Sequence, residues 1–202
     1  MTRFLLVRHA ESQWNAQRRW QGHADPPLTD RGREQARAAA AAIAPFDGPV
    51  FSSDLKRARE TAEIVAGELG LGPVTTDPDL REIDVGAFSG LTADEVRERL
   101  PDAHRAWRAG ELDAYPQGES KRDHLTRLLV SFERIATQHA GDVLVVSHGG
   151  CLTQLERHLG VHPGRPSTNL TARWFEWDGS LRAVSERLQL APAAPPERRR
   201  VH

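Results

Sequence analysis

Two stretches of the chain are apolar without interruption, Phe4-Leu5-Leu6-Val7 and Val143-Leu144-Val145-Val146. They lack the alternation of a strand with one wet face. Such runs predict strands of a parallel sheet covered by helices on both sides. Val50-Phe51-Ser52 and Pro73-Val74-Thr75 are shorter runs of the same kind. Between the strands the apolar period changes to three and four. Thr29 or Asp30 can cap a helix through the alanine-rich stretch from Glu34 to Ile43, which stops before Pro45. Asp54 is the expected cap of the next helix, which passes Ile64 and Leu69 and ends at Gly70 or Gly72. Thr92-Ala93-Asp94-Glu95 reads as a capping box for a helix to about Leu100. Ser120 opens a longer helix through Leu125, Leu128, Leu129, Phe132 and Ile135. Asp178-Gly179, between two apolar segments, marks a hairpin. The order predicts an α/β fold: a three-layer α/β/α sandwich with a mostly parallel central sheet and an antiparallel C-terminal hairpin.

Size and charge narrow the picture. The chain has 202 residues, 39% hydrophobic and 27% charged, which suits one domain over residues 1–190. Residues 92–117 read as an insertion capping the pocket, and 191–202 as a flexible Pro/Arg-rich tail. With 27 basic against 28 acidic residues, bulk charge points to neither a nucleic acid nor a membrane partner. Cys151 is the single cysteine, which excludes an intrachain disulfide and a cysteine-built zinc cluster. Following a buried strand, it is expected to pack as a small apolar group. The segment Met1 to Val7 is too short for a signal-peptide core, and no run approaches the roughly 20 apolar residues of a membrane helix. These features predict a soluble, cytoplasmic protein and leave room for a homodimer.

Four segments collect chemistry. Arg8-His9 follows the first buried strand, at the carboxyl edge where open α/β sheets bind ligands. Arg8 offers donors matched to phosphate oxygens, and His9 can serve as nucleophile or base. A chance pair at a strand end explains this segment alone equally well. Ser53-Asp54-Leu55-Lys56-Arg57-Ala58-Arg59 begins a helix whose amino end favours anions. Spacing does not settle which arginine faces the site. In an extended segment Glu82 and Asp84 point the same way, and one acid could give up a proton while the other makes a salt bridge. Ser147-His148-Gly149-Gly150 again puts a histidine after a buried strand, with glycines that let the backbone approach an anion. His124 belongs to no such constellation.

In this order the segments resemble the histidine phosphatase superfamily, also called phosphoglycerate mutase-like. Arg8-His9-Ala10-Glu11 is similar to its Arg-His-Gly/Ala-Glu signature, and the other three segments to its later blocks. The resemblance covers roughly Phe4 to Trp177. It implies that His9 accepts the phosphoryl group, that Arg8, Arg57 and His148 hold its oxygens, and that Glu82 is the general acid. Asn15, Ser12, Gln21, Gly22 and Gly149 then fall where the family completes the phosphate or substrate pocket.

The implied activity is hydrolysis of a small phosphorylated metabolite through a phosphohistidine, with no metal and no other cofactor. His9 must attack as a neutral ring, oriented by a backbone carbonyl. Two guanidiniums and a protonated His148 would balance charge on the equatorial oxygens. Glu82 must carry a proton at the first step, and Asp84 is left a structural part. A phosphoglycerate mutase is the alternative. Mutase relatives have a longer, basic insertion after the general-acid segment; here only Leu91 to Gly118 intervenes. The pocket is therefore expected to be more open and less basic. A non-catalytic phospholigand-binding module is a second alternative, which would need neither nucleophile nor acid. The sequence has no Gly-x-Ser-x-Gly elbow, P-loop or Gly-x-Gly-x-x-Gly pattern.

Overall fold

The two uninterrupted apolar runs lie side by side at the centre of one sheet. In the computed structural model, which describes residues 1–192, β1 (Thr2–Arg8) pairs in parallel with the strand Gly141–Ser147, Phe4 opposite Val143 and Val7 opposite Val146. Side chains alternate between the faces. Leu5, Val7, Leu144 and Val146 join one core cluster, with Ala36, Ala39, Ala58 and Ala62. Those alanines come from the helices Asp30–Ile43 and Lys56–Leu69, and their small side chains let the helices lie close on the sheet. Phe4, Leu6, Val143 and Val145 join the other cluster, with Leu128, Phe132, Ile135, Leu152 and Leu155 of the helices Lys121–Gln138 and Gly149–His158. Helices thus cover both faces, as the continuous apolar pattern requires.

In chain order the helices are α1 (Gln13–Ala16), α2 (Asp30–Ile43), α3 (Lys56–Leu69), α4 (Ala93–Arg99), α5 (Pro101–Ala109), α6 (Lys121–Gln138) and α7 (Gly149–His158). The strands after β1 are β2 (Val50–Ser52), β3 (Thr75–Thr76), β4 (Gly141–Ser147), β5 (Thr171–Trp177), β6 (Leu181–Ala183) and β7 (Leu188–Gln189). The sheet order is β3-β2-β4-β1-β5-β6, with β7 also on β5. The first three pairings are parallel, and β5 runs antiparallel to β1, β6 and β7. The mostly parallel sheet and its antiparallel C-terminal end agree with the sequence pattern.

Caps decide where the helices start. Thr29 accepts from Gly32 N at 2.9 Å, Ser120 accepts from Asp123 N at 3.0 Å, and Thr92 with Glu95 closes a capping box. Asp54 departs from expectation: Leu55 is the cap residue of α3, and the Asp54 carboxylate is engaged by the Arg81 fork. A bidentate guanidinium outcompetes a backbone N–H for a carboxylate. Pro101 ends α4 and starts α5, a helix the periodicity did not reveal. Glu156, fully buried, lies between Arg187 and Arg173, the latter at 3.0 Å. That triad fastens α7 to β5 and to the segment leading into β7. Ala191, expected at the start of the tail, is buried in the α2/α3 cluster, and residues 193–202 lie outside the described residues.

Strand register sets up the site. Arg8 lies opposite Ser147, and Ser52 opposite Val146, so β1, β2 and β4 release their next residues at one sheet edge. Over that edge sits a third apolar cluster of Ile83, Val85, Phe88, Val96 and Tyr115, with Trp20, Leu100 and Trp107 packed against it.

Candidate active site

His9 is 2% exposed at the tip of β1. Its Nδ1 lies 2.6 Å from Ala10 O, and a carbonyl only accepts, so Nδ1 carries the hydrogen. Nε2 is left as the lone-pair nitrogen, and Arg57 Nε donates to it at 3.3 Å. Burial, then the charges of Arg57 and Arg8, hold the ring well below its usual 6.5. His9 is thus a neutral, oriented ring at pH 7. Asn169 fixes the backbone behind it, its Nδ2 donating to His9 O at 3.0 Å and to Asn15 Oδ1 at 3.1 Å.

Arg57 is fully buried and donates to Ala24 O at 2.7 Å and Gly22 O at 2.9 Å. Burial brings it down to about 10, still cationic at pH 7. Arg8 donates through Nη1 to Ser167 O, while its buried Nε has no partner. His148 shares Nε2 with Ser53 Oγ at 2.9 Å, and its ring centre is 5.2 Å from that of His9. Its Nδ1 is buried without a partner as well. Burial first, then Arg57 and His9, hold His148 well below 6.5. In the free protein this favours the neutral ring. The fixed charge in the cup belongs to the two guanidiniums.

Glu82 is held from two sides. Oε1 accepts from Ile83 N and Oε2 from Gly150 N, both at 3.0 Å. A Cβ on Gly150 would overlap Glu82 Oε1. The sequence suggested that Gly150 lets an anion near the backbone, and the group that comes near is this carboxylate. Arg127 and His23 donate to Glu82 O at 2.8 and 2.9 Å, and Glu119 orients Arg127 at 2.7 Å. Asp84 instead closes its own turn, accepting from Gly86 N at 2.9 Å. Cys151 lies below; burial, then Glu82, push its thiol up to about 12, so it is an uncharged group.

These residues surround a cavity of about 290 Å³ lined by Arg8, His9, Asn15, Gln21, Gly22, Arg57 and Glu82 among others. His148 lines neither this cavity nor the adjoining one of about 440 Å³, which Gly149 borders. Ser12 differs from expectation. It is fully buried, caps α1 and donates to Gln21 Oε1 at 2.8 Å, so it braces the pocket wall without facing it. Basic residues also line the cavities. Arg18 and Arg19 line the first cavity, Arg19 paired with Glu95 at 2.9 Å, and Lys121, Arg157 and Arg165 the second, with Trp20, Trp107 and Tyr115 also in the walls. Those charges come from outside residues 92–117, where a basic insertion was sought. Asn169 and Arg127 were missed because they act through contacts distant in sequence.

The family model of the histidine phosphatase superfamily (branch 1) matches residues 4–186. A metal-independent phosphoserine phosphatase of Arabidopsis thaliana is 40% identical over 75% of this chain and 66% of its own length. A glucosyl-3-phosphoglycerate phosphatase of Mycolicibacterium vanbaalenii is 36% identical over 90% of this chain and 86% of its own. Among solved structures, Bacillus stearothermophilus YhfR superposes with TM-score 0.82 at 34% identity, covering 92% of this chain and 96% of that one. Phosphoglycerate mutases match as well.

Proposed function

The chain belongs to the histidine phosphatase superfamily (branch 1), and from that premise we propose that it hydrolyses small phosphomonoesters through a phosphohistidine on His9. One observation carries this reading beyond the family. Among the described residues, the buried side-chain polar atoms that lack a partner are Arg8 Nε and His148 Nδ1, both beside His9. Buried polar atoms are costly unless paired. Two such donors beside a neutral nucleophile suit an incoming phosphoryl group.

His9 Nε2 attacks phosphorus, and the bond to the leaving oxygen breaks as that oxygen takes a proton from Glu82. Arg8, Arg57 and His148 hold the equatorial oxygens. Water then attacks the phosphohistidine, Glu82 recovers the proton, and the P–N bond breaks to free Nε2. Charge on the oxygens is met by fixed donors, and no step calls for a metal ion. The basic, aromatic wall favours a compact leaving group with its own anionic group. Phosphoserine, in one relative's name, and glucosyl-3-phosphoglycerate, in another's, both carry a carboxylate. The same wall is what favours the second reading, a mutase that keeps an anionic product for return transfer. We assign the activity to a soluble, cytoplasmic enzyme.

The test is turnover of p-nitrophenyl phosphate in excess EDTA, followed by phosphoserine and phosphoglycerate derivatives. We expect full activity in chelator and a loss of at least about 10³-fold in His9→Ala. Activity that requires added metal, or survives that substitution, overturns the reading. Isomerisation of 3-phosphoglycerate primed by bisphosphoglycerate should remain a minor reaction; were it the faster one, the mutase reading would replace this one.

A further inference from the structure

Next to the Glu82 carboxylate lies a set of donor atoms that the proposed reaction does not use. His124 on α6 and Cys151 in the first turn of α7 are 1% and 0% exposed. His124 Nε2 is 3.4 Å from Cys151 Sγ. One donor atom from each of Glu82, His124 and Cys151 lies within 4.8 Å of the other two. In a tetrahedral site, bonds of about 2.3 Å to sulfur and about 2.0 Å to nitrogen give an S···N edge of about 3.5 Å. The His124–Cys151 separation already has that length. The carboxylate needs to close by little more than about 1 Å, and it hangs on two backbone N–H groups, Ile83 and Gly150.

We propose that Glu82, His124 and Cys151 form a binding site for a soft divalent cation of the zinc or cadmium class, and that filling it switches the phosphatase off. On binding, the Cys151 S–H bond breaks, its proton passes to solvent, and metal bonds form to Sγ, His124 Nε2 and a Glu82 oxygen as hydration waters leave. One thiolate and one carboxylate neutralise the dication, so no net charge is buried beside Arg127. Only a cation with high affinity for thiolate displaces that proton, which selects against magnesium and calcium. Glu82 and His124 both border the 440 Å³ cavity, which gives an entry path and room for a water as fourth ligand. A Glu82 carboxylate committed to the metal cannot take up the proton that the leaving oxygen needs. The inhibition rests on the proposed role of Glu82; the binding does not.

The experiment titrates the reduced, chelator-stripped full chain with cadmium, reading sulfur-to-cadmium charge-transfer absorption and turnover of glycerol phosphate, whose alkoxide is a poor leaving group, together. We expect one equivalent to saturate the absorption and to lower turnover at least about tenfold. Cys151→Ser should lose the absorption and keep its turnover at the same cadmium concentration. Cys151→Ala, free of any hydroxyl left in the core, should behave alike, with circular dichroism matching the parent. Magnesium should change neither signal. No absorption in the parent, or equal inhibition of parent and Cys151→Ser, overturns the site. Absorption without inhibition overturns the switch and counts against Glu82 as the acid. Absence of turnover before any metal is added counts against the hydrolase reading alone.

Discussion

The proposed attack of His9 on phosphorus needs a free lone pair, and the surroundings of the ring keep it free in two ways. The Ala10 carbonyl takes the Nδ1 hydrogen, and burial beside Arg57 and Arg8 opposes a second proton. The direction is downward from 6.5, so lowering the pH through 6.5 should leave His9 neutral, where a free imidazole would become charged. Ring-nitrogen NMR on labelled protein, with His9→Gln to assign the signal, reads this directly. The His9 resonances should stay those of the Nδ1–H tautomer at pH 6.5 and below. A ring that titrates at 6.5 or above would mean that the guanidiniums do not act on it as the geometry requires.

At the scale of elements, Glu82, the proposed general acid, is held by the tip of α7. Gly150 sits in its first turn, where alanine would normally favour a helix by about 0.5–1 kcal/mol. Here the added methyl would meet Glu82 Oε1. Gly150→Ala should therefore melt within a few degrees of the parent, yet lose about 10²-fold in kcat for a poor leaving group. Arg8, Arg57 and His148 are untouched, so KM should move little. Calorimetry and steady-state kinetics on one preparation separate the two effects, and an unchanged kcat would remove Glu82 from the proton transfer. The same element shows what sequence can reveal. The strand before it was legible from Val143 to Val146, because apolar continuity is a local property, as were the caps Thr29, Thr92 and Ser120. The packing of Glu82 on Gly150 was not, since its partners are 68 residues apart. Asp54 misled for the same reason: its partner Arg81 lies 27 residues on and takes the carboxylate from the helix end. His124 and Cys151 form no motif because α6 and α7 bring them together only after folding.

For the whole molecule, a pocket of neutral buried histidines ties stability to pH. Both His9 and His148 are held well below 6.5 in the folded state, whereas in the unfolded chain they titrate near 6.5. The sign follows from proton counting. Below 6.5 the unfolded chain binds protons that the native state refuses, so stability is complete above 6.5 and is lost as pH falls toward the native values. Each ring contributes a slope of about 1.4 kcal/mol per pH unit across that window. Domains of this size have about 5–15 kcal/mol in all, so these two rings, joined by His124, which burial brings down to about 4, should remove a sizeable share as the pH falls below about 6.5. Urea unfolding across that interval should show a falling midpoint with a constant m-value. His148→Gln, which has no proton to take up, should flatten the dependence by about 1.4 kcal/mol per pH unit relative to the parent. His9→Gln should do the same, and the double variant nearly twice as much. If the parent's stability were level from pH 7 to about 5, the rings would be titrating alike in both states, and the buried, cation-flanked cup would not exist in solution.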